Sequence, residues 1–275
     1  MVFPSFILAT ANDKREPEIT TYIGDPNGVF GFSLYPLRLI SLVGIAFSGV
    51  AFILAIAYVL LKLSGFPFPV GNPTIVAVEE KIAKLEGAQA AMLLSSGQAA
   101  TTTALLGLLS SGDEIVCSSA IYGGTLHLMA DLLPKFGIRS RFVSLEELRT
   151  PAQVLGEATK LVWFESPINP TQRCVDIAAV AAACRARGVI SVLDNTFASP
   201  INQQPLALGV DLVMHSATKY LNGHSDVTAG VLAGPSTLLE PVQKARRMFG
   251  TVLDPQPAYA LGRGLKTLAV RMERH

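Results

Sequence analysis

From Ile75 onward, short apolar runs alternate with segments of helical period, a strand-and-helix step about every 20 to 30 residues, which predicts a mainly parallel sheet. "IVAVEEKIAKLEGA" has the spacing of an amphipathic helix, stopped by Gly87. "AMLLSSG" reads as a short strand leading into the helix "QAATTTALLGLL". Further strands are predicted at "EIVCSS", "IRSRFVS", "KLVWFES", "GVISVLDNT", "VDLVMHS" and "VTAGVLAG", with helices such as "DIAAVAAACRARG" between them. In such sheets ligands bind beyond the carboxyl ends of the strands, and here the residues that close the apolar runs are polar.

The texture before Gly71 is different. Pro/Gly-rich stretches such as "GDPNGVFGFSLYP" and "SGFPFPVGNP" flank a charge-free apolar block, Leu39–Leu61, bracketed by Arg38 and Lys62. At about 1.5 Å rise per residue a helix over this block would cross a hydrocarbon core roughly 30 Å thick, so 39–61 is expected to be a transmembrane helix. The run is too long, and begins too far into the chain, for a cleaved signal peptide. The basic residues around it (Lys14, Arg15 and Arg38 before; Lys62, Lys81 and Lys84 after) set no orientation. The chain thus divides into an N-terminal segment, 1–70, and an α/β domain, 71–275.

Charge narrows the partners. A formal net charge of +1 in 275 residues, without runs of one sign, gives no electrostatic footprint for nucleic acid. Cys117, Cys174 and Cys184 are odd in number and lack C-x-x-C spacing, so free thiols in a reducing compartment are expected, which makes the location cytoplasmic unless 39–61 anchors the chain to a membrane. His127, His215, His224 and His275 have neither paired helical spacing nor neighbouring cysteines, so no metal site is expected, and His224 reads as a hydrogen-bonding loop residue.

The strand-end residues suggest one chemistry. "VISVL" ends in Asp194, with Thr196 following; "VDLVMH" leads to Ser216, Thr218 and Lys219; "LVWFE" ends in Glu165, with Asn169 four residues on. "AMLLSSG" offers the backbone N–H groups of Gly97 and Gln98 at a helix start, where amides and dipole favour an anion. Pyridoxal 5'-phosphate needs an amine to bind its aldehyde as a Schiff base, a carboxylate to keep the ring nitrogen protonated, and a phosphate cradle. All three are available, and Tyr122 in "AIYGGT" is an aromatic able to stack on the ring.

"ESPINPT", "LDNTFASP" and "HSATKYLNGHSDVTAG", with "LEGAQAAMLLSSGQAA", "YGGT" and "RGLKTLAVRM", resemble the Cys/Met metabolism family of pyridoxal-phosphate enzymes, the trans-sulfuration family. The resemblance implies the PLP-dependent transferase fold (fold type I, aspartate-aminotransferase-like) and a homo-oligomer, dimer or tetramer, with active sites between subunits. It implies that Lys219 is the cofactor-bearing catalytic lysine and that Asp194 partners the ring nitrogen. Tyr122 would stack on the ring and take part in catalysis. Gly97, Gln98, Ser216 and Thr218 would hold the phosphate, and Asn169 the ring hydroxyl, with Thr196 and Glu165 close by. The substrate would be a homoserine-derived or cystathionine-like amino acid, undergoing γ-replacement or γ-elimination. "KYLNGHSD" is closest to cystathionine γ-synthases and γ-lyases, while Gly124 stands where methionine γ-lyases carry a cysteine, which counts against that branch.

Three departures accompany the resemblance. Pro67 and Pro69, in "PFPVGNPT", stand where the family's tyrosine and arginine would reach the neighbouring subunit's phosphate, so weakened cofactor affinity is expected. The family's smaller C-terminal domain, with its substrate-carboxylate arginine, is expected to be absent after "RMERH". The segment 1–70 has no counterpart in the family. A membrane-tethered or truncated homologue without activity is therefore the alternative expectation.

Overall fold

The computed structural model describes residues 72–275. The apolar block 39–61 and the positions Pro67 and Pro69 lie outside the described residues. Among the described residues, no helix is long and apolar enough to cross a membrane.

Helix α1 (Pro73–Glu86) begins at a side-chain cap, with Asn72 Oδ1 accepting from the Thr74 N–H at 2.9 Å, and ends at Gly87, whose φ of 66° is left-handed. Its buried Ile75, Val78 and Ile82 recur at helical spacing. Then follow β1 (Ala90–Leu94), α2 (Gly97–Leu108), β2 (Glu114–Ser118), β3 (Arg139–Val143), β4 (Thr159–Glu165) and α3 (Ile177–Arg187). The chain continues as β5 (Ile190–Asp194), β6 (Leu212–Ser216), β7 (Gly230–Gly234), α4 (Ser236–Phe249), α5 (Pro255–Leu265) and α6 (Leu268–Arg274).

The seven strands form one sheet in the order β1-β7-β6-β5-β4-β2-β3. Strands β2 to β6 run parallel, and β7 is antiparallel to both β1 and β6. Strands covered by helices on both faces are apolar at nearly every position, which is why β4, β5 and β6 read as continuous runs, whereas the edge strand β3 does not. Alternate residues divide between the faces. Met92, Leu94, Ile115, Trp163, Val192 and Met214 join α2 and α4 in one core cluster. Leu93 and Val231 pack with α1, α5 and α6, and Val116, Val162, Phe164 and Leu193 pack with α3. Cys117 and Cys184 are buried thiols in this core, and Cys174 is exposed.

Candidate active site

Strand register builds the site. Glu165 at the end of β4 lies opposite Asp194 at the end of β5, which lies opposite Met214 in β6. One edge further, Ser216 and Leu94 both pair with Gly230, so β1 delivers Ser95, Ser96 and the start of α2 to the same level. A cavity of about 850 Å³ opens along this edge. Gly97, Gln98, Tyr122, Asn169, Asp194, Thr196, Ser216, Thr218 and Lys219 all line it, together with Glu165.

At one end is an anion-binding geometry. Ser96 caps α2, its Oγ accepting from the Ala99 N–H at 2.9 Å and its carbonyl from the Ala100 N–H at 3.0 Å. Among the described residues the Gly97 and Gln98 N–H groups have no such acceptor, and they carry the positive end of the helix dipole. A Cβ at position 97 would lie 2.8 Å from Ser216 Cβ and 2.9 Å from its Oγ, so only glycine lets the helix start approach the serine this closely. Thr218 is also at hand, although its hydroxyl already accepts from the Ala229 N–H at 3.1 Å and donates to the Ala229 carbonyl at 3.3 Å. A phosphate would replace the longer of these two bonds. Two open amides and two hydroxyls suit a phosphate group in number and polarity.

At the other end is a carboxylate pair. Asp194 Oδ1 accepts from both the N–H and the hydroxyl of Thr196, and Thr196 Oγ1 in turn accepts from the Ser216 N–H at 2.8 Å. This relay ties the aspartate to the phosphate-side strand. Burial raises the Asp194 carboxyl above its ordinary range, while the Thr196 bonds and His215 act in the opposite direction. Glu165 is pushed up to about 8 by burial and by the charge of Asp194, despite accepting from the Tyr122 and Asn169 N–H groups. Burial together with the neighbouring negative charge disfavours ionising both carboxyls at once, and a cation brought between them would relieve this. A protonated ring nitrogen is such a cation, so the donor set fits pyridoxal phosphate at both ends.

Lys219 is exposed to the cavity and, among the described residues, forms no ion pair. Its backbone is fixed by its N–H to Ser216 O at 3.1 Å and by the Gly223 N–H to Lys219 O at 2.7 Å. Tyr122 is 54% exposed and hangs from Glu165, its N–H donating to Oε1 at 2.6 Å. A Cβ at Gly124 would lie 2.5 Å from the Tyr122 ring, so a side chain there would displace the ring. Gln98 Nε2 donates to the Gly124 carbonyl at 2.8 Å, joining this loop to the start of α2.

Several neighbours escaped the sequence reading. Phe197, Tyr220, Arg271 and His275 also line the cavity, with Phe197 and His275 edge-on to the Tyr220 ring. Phe197 lies inside "LDNTFASP" and Tyr220 follows the lysine, so adjacency in the chain was the available signal. Behind Asp194, His215 and Glu86 form a fully buried pair, and Glu86 also accepts from Asn195 Nδ2 at 3.2 Å. Residues 129 apart in the chain give no local sign of such a contact. His224 is a loop residue, its Nδ1 2.6 Å from Asn222 O.

Known proteins share this framework. The family model described as Cys/Met metabolism PLP-dependent enzyme matches residues 68–275. The chain is 42% identical over 208 residues to L-methionine gamma-lyase of Pseudomonas putida, covering 75% of this chain and 52% of that protein. It is 45% identical over 206 residues to cystathionine beta-lyase of Lactococcus lactis, covering 74% and 54%. Against chloroplastic cystathionine gamma-synthase 1 of Nicotiana tabacum it is 42% identical over 205 residues, covering 74% and 38%. Among solved structures, metB from Corynebacterium glutamicum superposes with a TM-score of 0.71 at 41% identity, covering 73% of this chain and 52% of that one. The chain spans about half the length, or less, of the relatives it matches. The likeness bears out the expected PLP-dependent transferase fold, and with a match over 68–275 the chain belongs to the Cys/Met metabolism family of PLP-dependent enzymes.

Proposed function

We propose that this chain is the cofactor-binding part of a pyridoxal-phosphate enzyme that carries out γ-replacement or γ-elimination on homoserine-derived or cystathionine-like amino acids, working as a homo-oligomer. One observation supports it above the others: the amine of Lys219, which forms no ion pair among the described residues, a buried aspartate and a helix N-terminus wall a single cavity at the strand ends. Relatives named for β-lyase, γ-synthase and γ-lyase activities are about equally similar, so the reaction assigned rests on "KYLNGHSD" and on Gly124.

In this reading Gly97 and Gln98 N–H, with Ser216 and Thr218 hydroxyls, hold the phosphate. Asp194, oriented by Thr196, faces the ring nitrogen; Asn169 bonds the ring hydroxyl and Tyr122 covers the ring. The bound cofactor supplies an electron sink for the substrate's α-carbon. Lys219 Nζ would hold the cofactor and, once released, would be the base that takes the substrate's α-proton, hands it on, and is then free to take the β-proton before the γ-substituent departs with its bonding electron pair. Glu165 keeps Tyr122 in place through its backbone.

The test is Lys219→Ala in the full chain, assayed on a panel of O-acylated homoserines and cystathionine. Turnover by the parent chain and none by the variant is expected, and equal turnover in both would overturn the assignment. A second reading has its own support in the charge-free block 39–61 and in Pro67 and Pro69: a membrane-tethered homologue without activity. Recovery in washed membranes with no turnover would favour it over the first.

A further inference from the structure

We infer that Arg271 is a positioning residue for Lys219, and that "RGLKTLAVRM" is the seat on which the lysine loop is fastened; the inference builds on the reading of Lys219 above. After Lys219 the chain turns sharply to Gly223, and the carbonyls of Tyr220 and Leu221 fall outside the turn's own hydrogen bonds. Arg271 supplies their donors. Its Nη1 donates to Tyr220 O at 2.7 Å, and Nη2 reaches Leu221 O at 3.5 Å.

The same guanidinium is held from the other side. Nη2 donates to Gly264 O at 2.9 Å and Nε to Thr267 Oγ1 at 3.1 Å. One planar fork therefore joins the end of α5 and the start of α6 to the residues following the lysine. A lysine at 271 could satisfy one of these acceptors but not the set, because its ammonium is a point donor.

Steric fit supports the assignment independently. A Cβ at Gly223, where φ is 74°, would lie 2.1 Å from Arg271 Nη1. A Cβ at Gly264 would lie 2.3 Å from the Asn222 carbonyl, so the helix end meets bare loop backbone. A further tie runs through Asp226, which accepts from Asn222 Nδ2 at 2.8 Å and from Arg263 Nη2 at 3.0 Å. Loop and seat thus meet at Arg271, Gly264 and Arg263, three positions of one short segment.

The acceptors around Arg271 are carbonyls and a hydroxyl, and among the described residues it has no carboxylate partner. An arginine recruited only for surface charge pairing would not be bonded in this way. What its removal releases is the backbone that follows Lys219, at Tyr220 and Leu221, and with it the aim of the amine into the cavity.

The experiment compares the full chain with R271M and R271K in two measurements. The first is borohydride-fixed pyridoxyl labelling of Lys219, read by peptide mass against Lys84 as an internal control. The second is amide hydrogen exchange of the peptide spanning 217–224 against peptides from the central strands. In R271M, labelling of Lys219 relative to Lys84 should fall by about tenfold, and exchange at 217–224 should rise by a similar factor while the strands stay protected. R271K should recover only part of both. If R271M does not fold, R271K carries the same comparison. Labelling and exchange indistinguishable from the parent chain would overturn the inference. Absence of label on Lys219 in the parent chain would instead defeat the reading of the site, leaving the exchange measurement to decide the clamp.

Discussion

Glu165 carries the most direct prediction at the scale of a single residue. Its carboxyl is pushed from an ordinary 4.5 to about 8 in the folded protein, by burial first and by Asp194 second. The folded state therefore holds a proton that the unfolded chain gives up, and the stability this contributes is full below about 4.5 and lost as pH rises through 8. In the cofactor-free protein the slope from one such proton is up to about 1.4 kcal/mol per pH unit. Glu165→Gln keeps an oxygen for the Tyr122 N–H but no longer titrates, so urea unfolding across this range should show a flatter dependence than the parent; an unchanged slope would assign the proton elsewhere. Gly97→Val tests the other end of the cavity. A Cβ there already lies 2.9 Å from Ser216 Oγ, so the larger side chain should weaken inorganic phosphate binding by at least about tenfold, measured by calorimetry. Equal affinity would mean that the helix start is not the anion site.

Elements decide which of these residues can meet. Helix α2 begins at Ser96 because its hydroxyl takes the Ala99 N–H, and that cap leaves the two preceding amides open to the cavity. Ser96→Ala should cost about 1 kcal/mol in denaturant unfolding, and a variant as stable as the parent would show that the helix start is held by packing alone. The central strands β4, β5 and β6 were legible because burial on both faces makes them nearly continuous apolar runs, and the polar residues that end those runs mark one edge of a parallel sheet. Helix ends were legible where Gly87 and Gly188 stop α1 and α3 in the left-handed conformation. The placement of β7 was not: "VTAGVLAG" reads as a strand, but nothing in it says that it enters between β1 and β6 and runs against both. Arg271 and the Glu86–His215 pair were hidden for a related reason. Each acts through a partner brought close only by tertiary packing, and His215, between Met214 and Ser216 in β6, faces away from the cavity that its neighbours line.

At the scale of the whole molecule the question is what completes the phosphate site. The described residues offer amides and hydroxyls at the start of α2, where a phosphate's charge would meet the helix dipole. The family resemblance puts the missing cation on a neighbouring subunit, at the position where this chain has Pro69. Proline has neither charge nor N–H, so a second copy of this chain, even if correctly docked, brings no donor from that position. Pyridoxal phosphate should therefore bind the parent chain loosely, and P69R should tighten binding at least about tenfold through a charge-assisted pair, provided that the protein is an oligomer. The two conditions separate experimentally. Titrating the cofactor by its visible absorbance while following mass by sedimentation should show tighter binding in P69R only where dimer or larger species are populated. Tight stoichiometric binding by the parent chain would mean that the amides, hydroxyls and dipole of α2 suffice; a P69R gain that persists in the monomer would move the arginine's action onto its own subunit.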